Sequence, residues 1–567
     1  MFDLLPPDAK GTIDWSWSKF EPYYTELAKR KLDEDNAPVF LADWSRIVEL
    51  VDETYSRLYV ATTVNTADEE AKNRFHRFLD EIYPKTEQAE QILREKIVRQ
   101  SKTPDGFEVP LRRLRQETEL FRQENIPLKA EEQKQCIEYD KIIGSQTVMW
   151  EGKETTIMQL RPVYQSADRD LREKAWRMAA QRQLEDREAI AGLWGKFMGL
   201  RLKIAENAGC DDYRSYRWRE MHRFDYSPDD CKAFHKAIEE SVVPAAERIA
   251  EKRRRKLGLK ALRPWDLEVD PQGRPPLKPF ADVSELKSGV SAIFHRIEKS
   301  LGGYFDKMAA ENLLDLDNRK NKAPGGYCVD FAAARKPFIF MNAVGVHDDV
   351  QTLLHECGHC FHTFLRSSLP YYHQRQVGLE FSEVASMTME LLAGAHLDKN
   401  GGGFYSRQEA ARASVEHLEK SVQFWPYMAV ADSFQHWVYE NPEAARDIRA
   451  CDEQWMSLFR RFVTWIDWTG LEEQGMSRWH RQSHIHVMPF YYVEYGLAQL
   501  GAVQIWGNGL KNQAAAIASY LGALALGGAV PLPELFSTAG AKFAFDPLTL
   551  SSAVKQMEAM IDKLTEA

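Results

Sequence analysis

The sequence predicts a mainly α protein with more than one helical lobe, a cleft between lobes, and a small β element just ahead of its most informative helix. Three observations carry this. Apolar residues recur at the 3.6-residue helical period over most of the chain. Only two short islands break that period with clustered β-formers. At 567 residues the chain is also longer than a single hydrophobic core usually grows.

Taken in order, Val48, Leu50, Val51, Tyr55, Leu58, Phe75, Phe78, Leu79 and Ile82 follow the helical spacing through residues 45–99. The first island, 147–160, places β-formers on both sides of Glu151-Gly152-Lys153 and predicts a short hairpin. Helical spacing returns over 168–208 and 229–257. Residues 263–280 hold five prolines and Gly273 and predict a surface connection. The second island, 324–345, predicts two strands, GGYCVDF and KPFIFMN. Helices then run to the end, interrupted near 401–403 and 531–533. No internal repeat or low-complexity segment is visible.

Composition narrows the function classes. The chain is 44% apolar and 28% charged, as in folded globular proteins. A net charge of −10 gives no electrostatic footprint for nucleic acid, and the basic run 252–256 lies in a helical pattern that predicts a solvated face. The first residues lack a basic start followed by an apolar stretch, and the longest uncharged stretch, 512–533, is too glycine-rich and polar for a membrane span. Seven scattered cysteines do not form a disulfide framework. The expectation is a cytoplasmic protein without nucleic-acid or membrane partners; its oligomeric state is not legible.

The strongest pattern lies in residues 348–366, a helix opened by Asp348 and Asp349 and followed by Pro370. Val350, Leu353, Leu354, Cys357, Phe361 and Phe364 form its apolar stripe. His355, His359 and His362 lie on the adjacent face. One turn separates His355 from His359, so both imidazoles can reach one ion, while Glu356 can reach a water instead. His362 stands about 10 Å from His355 along the helix, too far to complete the set. Cys357 and Cys360 form a CxxC inside this helix, and apolar packing is the expected role of both.

Catalytic zinc sites use three protein ligands and leave a position for water, so the third ligand matters most. It must come from another helix. Residues 379–392 offer Glu380, Glu383 and Glu390, of which the last two share a face.

HECGHCFH followed by SEVASMTME resembles the thimet oligopeptidase family of zinc metallopeptidases, and more closely its oligoendopeptidase F branch, which includes Pz-peptidases. LRPWDL, PFIFMN, HIHVMPFYYVEYGLAQLGA and PLPELFSTAGAKFAFDP are weaker echoes, so the likeness runs from about residue 140 to the end. The resemblance implies two helical lobes flanking a deep cleft, with an N-terminal lobe over 1–195 and a catalytic region over 196–567. It implies one zinc ion per chain held by His355, His359 and Glu383, with Glu356 as general base. Glu390, and with it His362, would stand behind the ligands. His486, Tyr491 and Tyr495, spaced similarly to the family's histidine and tyrosines, would reach over the zinc and stabilise an oxyanion; the family's further tyrosine is Ala498 here.

The implied activity is endopeptidase cleavage of short unstructured oligopeptides. Residues 337–342 would offer a strand edge for substrate backbone. The rival readings are a dipeptidyl-carboxypeptidase or carboxypeptidase on a similar scaffold, and a non-catalytic peptide-binding relative.

Overall fold

The computed structural model describes residues 1–100, 104–319, 321–323 and 325–566. The expected start of the second island, residue 324, lies outside the described residues. Helices dominate, as the spacing predicts, and among the described residues five short strands form two small sheets.

The helix Ala37–Val64 shows why the N-terminal part folds as it does. Pro38 sits in its first turn, and Phe40, Leu41, Trp44, Ile47, Leu50 and Val51 recur at helical spacing. These side chains join Phe20, Leu93 and Leu114 in an apolar cluster that draws on residues 2 to 114. A larger core takes residues from Val60 to Ile561. The helix Arg187–Asn207 contributes Trp194, Met198 and Ile204 to that core, so a division of the chain at residue 195 would cut through it.

The first island is a hairpin of β1 (Thr147–Trp150) and β2 (Lys153–Thr156), paired Trp150↔Lys153. Its two turn residues, Glu151 and Gly152, both have positive φ, 50° and 81°, which matches the twist of the flanking strands.

The second sheet contains β3 (Leu314–Asp317), β4 (Tyr327–Phe331) and β5 (Lys336–Ala343) in the order β3-β5-β4. β5 pairs parallel with β3 and antiparallel with β4. This corrects the expectation that 337–342 offers a free edge: β5 is the buried central strand, and β4 is an edge. β3 escaped the sequence reading because LDLD is four residues long and half charged.

The proline-rich connection is also less superficial than expected. Trp265 and Asp266 are buried, and Asp266 receives Arg169 at 2.8 Å and Arg172 at 3.0 Å. The basic run is largely engaged: Lys252 pairs with Asp562, Arg254 and Arg255 pair with Glu251, and Arg253 donates to the main chain of Asp266.

β5 leads straight into the motif helix, His347–Arg366. The backbone N–H groups of Val344, Gly345 and Val346 donate to Asp349 Oδ2 at 2.8, 2.8 and 3.0 Å, which fixes the entry angle. The motif helix then crosses a second helix, Leu379–Ala393, at very close range. A Cβ on Gly358 would lie 2.5 Å from both Ala385 O and Ser386 Cα. Glycine is required there by backbone, which cannot retreat as a side-chain tip can.

Gly358→Ala is therefore expected to destabilise the protein by about 1–3 kcal/mol, despite the roughly 1 kcal/mol by which Ala exceeds Gly in helix propensity. Equilibrium urea unfolding of the variant against wild type checks this; equal or greater stability would refute the close-packing argument.

Candidate metal centre

The motif helix and the helix Leu379–Ala393 bring three donor groups to one point. His355 Nε2 lies 3.3 Å and His359 Nε2 3.8 Å from Glu383 Oε2, and one donor atom from each residue lies within 4.8 Å of the others. Bonds of about 2.0–2.2 Å from zinc to nitrogen and oxygen would span such a set, and two imidazoles with one carboxylate is a catalytic zinc combination. The residues fit the group.

Hydrogen bonds fix two of the three donors. His355 Nδ1 lies 2.6 Å from Glu390 Oε1, so Nδ1 carries the proton and Nε2 faces the convergence point. Glu390 thus backs a ligand candidate. Glu383 is buried and accepts from Tyr491 Oη at 2.8 Å and Ser386 Oγ at 3.0 Å. Burial would raise its pKa, but His359, His355 and Tyr491 together hold it down at about 2. Glu380 is turned away, accepting from the buried Tyr226 hydroxyl at 2.8 Å.

Glu356 is buried, and its carboxylate makes no hydrogen bond or ion pair among the described residues. Tyr495 lies on the facing helix, Tyr492–Lys511, with its ring centroid 5.0 Å from that of Tyr491. Burial, then Glu383, raises the Tyr495 pKa, so its phenol stays protonated and able to donate.

The structure separates the two histidines of HIH. His486 is completely buried in an aromatic box, stacked 4.5 Å from Tyr139 and 5.4 Å from Trp479, and burial pushes its pKa down to about 3. It does not accompany Tyr491 and Tyr495. His484 does, with ring centroids 5.5 and 5.7 Å away and Nε2 3.5 Å from Tyr495 Oη. The expectation for His486 rests on a spacing similar to the family's, which does not fix where the side chain points. The chain ends a short helix at His486 and turns through Phe490, whose φ is 65°.

A relay sets the tautomer of His484. Tyr427 Oη donates to Gln482 Oε1 at 2.7 Å, and the Gln482 amide nitrogen lies 3.1 Å from His484 Nδ1, which leaves the proton on Nε2. The sequence reading missed His484 because two histidines in one turn look equivalent until the turn is drawn.

His362 makes no hydrogen bond to the three donor residues; it is buried, edge-on to Phe381, and its Nε2 is unpartnered. Cys357 and Cys360 are completely buried, which raises both thiol pKa values, as apolar packing implies.

His359, Glu383 and Tyr491 line a cavity of about 420 Å³ that is also lined by Cys328 to Phe331 of β4. β4 is an edge strand of its sheet, and these residues are the part of that sheet that lines the cavity.

Comparison with known proteins accords with this geometry. The model of Peptidase family M3 matches residues 163–548. A solved structure, Pz peptidase A with an inhibitor, is 26% identical and superposes with a TM-score of 0.88 over 99% of both chains. Oligoendopeptidase-F from Enterococcus faecium, 13% identical with a TM-score of 0.66 over 98% of this chain and 99% of that one, shares the fold. Oligopeptidase PepF of Bacillus subtilis (strain 168) is 22% identical over 255 residues, which are 45% of this chain and only 37% of that relative.

His486→Ala should behave as a core mutation, costing about 2–4 kcal/mol of stability, whereas His484→Ala should cost much less. Chemical denaturation of both variants checks this; a greater loss from His484 would reverse the assignment.

Proposed function

The chain belongs to peptidase family M3, and on that footing we propose that it is a zinc-dependent endopeptidase cleaving internal bonds of short, unstructured oligopeptides. The observation that carries the reading is the convergence of His355, His359 and Glu383 beside an unpaired Glu356. A zinc ion held by those three residues would polarise the scissile carbonyl and lower the pKa of a bound water to about 7.

Glu356 then acts as general base, taking a proton from the attacking water and passing it to the leaving amine. Its lack of hydrogen-bonding partners supports this, since a carboxylate locked in an ion pair would be a poor proton carrier. The developing oxyanion needs a donor. Tyr495 fills that role better than Tyr491, whose hydroxyl is already engaged by Glu383. His484, with its proton on Nε2, is the second donor.

Substrate backbone would pair with the outer edge of β4, giving an extended peptide main-chain hydrogen bonds and weak sequence selectivity. An exopeptidase would need a free charge to hold a chain terminus. The cavity arginines are instead engaged: Arg366 pairs with Asp330, Arg375 with Glu49, and Arg335 donates to Ser367 O. This favours the endopeptidase reading over a carboxypeptidase.

Among the described residues no helix is long and apolar enough to cross a membrane; the seven free cysteines suit the reducing, cytoplasmic location that belongs to this reading.

An internally quenched peptide blocked at both ends should be cleaved, and cleavage should stop on chelation and return with zinc. Attack only on free-ended peptides would overturn the endopeptidase assignment. Glu356→Gln should lose turnover while keeping metal, so a metal-loaded variant within tenfold of wild type would exclude that base. Tyr495→Phe should lower kcat by about 10² to 10³ with little change in KM, and His484→Ala by a similar or smaller factor. Steady-state kinetics on zinc-loaded variants measures both.

A further inference from the structure

A second convergence of donor groups lies away from the motif helix, between the helices Pro228–Ser241 and Arg407–Glu440. Cys231 and His235 are one turn apart on the first, and Asp432 and His436 are one turn apart on the second. One donor atom each from Cys231, Asp432 and His436 lies within 4.8 Å of the other two. The three side chains are 0%, 0% and 2% exposed. None of these residues lines the cavity beside Glu383.

Hydrogen bonding leaves this cluster incomplete. His235 Nε2 donates to Asp432 Oδ2 at 2.8 Å, and its Nδ1 accepts from Ser433 Oγ at 3.0 Å. That fixes the carboxylate and commits one of its oxygens. The other oxygen, Oδ1, is buried without a partner, as is His436 Nε2. His436 Nε2 is 3.3 Å from Asp432 Oδ2, without hydrogen-bond geometry. The Cys231 thiol makes no hydrogen bond among the described residues. Buried polar atoms normally find partners, and each orphan costs about 1–3 kcal/mol. Here the orphans belong to the residues that converge.

We propose that Cys231, Asp432 and His436 bind a second divalent ion of the zinc type, with His235 orienting Asp432 as an outer partner. Thiolate, imidazole and carboxylate together form a zinc donor set. The charges balance, because a thiolate and a carboxylate neutralise a dication in a site with no access to water. Binding expels one proton, from the Cys231 Sγ, to solvent. The proton of the neutral His436 ring moves to Nδ1, so Arg214, now 3.3 Å from that atom, turns to its other partner, Glu440.

The ion would act as a clamp behind the reaction site. A Cβ on Gly496, the residue after Tyr495, would meet both Met428 of the long helix and Phe234, the neighbour of His235. The two helices that the ion joins therefore both touch the Tyr492–Lys511 helix beside Tyr495.

Metal analysis of protein dialysed against zinc should find two equivalents per chain, and one in the double variant His355→Ala/His359→Ala. Cobalt(II) distinguishes the sites without relying on any variant, because only the Cys231 site can give a sulfur-to-cobalt charge-transfer band. Cobalt-loaded wild type should show that band, and Cys231→Ser should lose it together with one equivalent. A wild-type protein with a single equivalent and no such band, or a band that survives Cys231→Ser, would overturn the proposal. Neither outcome bears on the peptidase reading, whose donor set contains no sulfur.

Discussion

The distance between two helix backbones governs what this molecule can do. Gly358 sits between the two motif histidines, and it meets the opposing helix at Ala385 and Ser386, within three residues of Glu383. A helix pair held apart by ordinary side chains stands 8–10 Å axis to axis. The glycine brings the pair closer, and this lets His355, His359 and Glu383 approach within a few ångströms. Interactions elsewhere adjust that arrangement without creating it. Glu390 orients one imidazole, Tyr491 and Ser386 orient the carboxylate, and Asp349 aims the motif helix as it leaves the sheet.

Opposite this fixed pair stands a wall held by buried charge. Arg223 has no exposed side-chain surface, pairs with Glu494 at 2.8 Å, and also donates to the Phe490 carbonyl. Gln435 Oε1 accepts from the Phe490 N–H at 2.6 Å. These contacts secure the left-handed turn that directs His484 and the tyrosines one way and His486 another. Burial and the nearby Glu380 raise the Glu494 pKa to about 8, against the lowering by Arg223.

Local chemistry was legible in the sequence, and its spatial continuation was not. HExxH specifies a helix, a face and a spacing within one rigid element, so His355, Glu356 and His359 could be assigned together. Glu383 and Glu390 share a helix face, but choosing between them needed the crossing point at Gly358 or a family likeness. β5 was legible as a strand, whereas its place at the sheet centre depended on β3, too short and too charged to be seen. His486 failed for a related reason. A spacing carried over from a family does not fix where each side chain points, and a positive φ at Phe490 reorients the chain between the histidines and the tyrosines. Trp265 and Asp266 show the same limit: prolines mark a connection, but only two arginines from another helix reveal that it is buried.

The placement of β4 has a consequence for the protein's own solubility. A strand edge displays unpaired amide and carbonyl groups, and in many proteins such an edge recruits the sheet of a neighbouring molecule and seeds aggregation. Here it borders a cavity between helices, with the Asp330–Arg366 pair beside it. A strand recessed in this way is less accessible to a neighbouring sheet than one on an open surface. The recess thus lowers the hazard that an unpaired edge carries, without the proline or bulge that exposed edges commonly need.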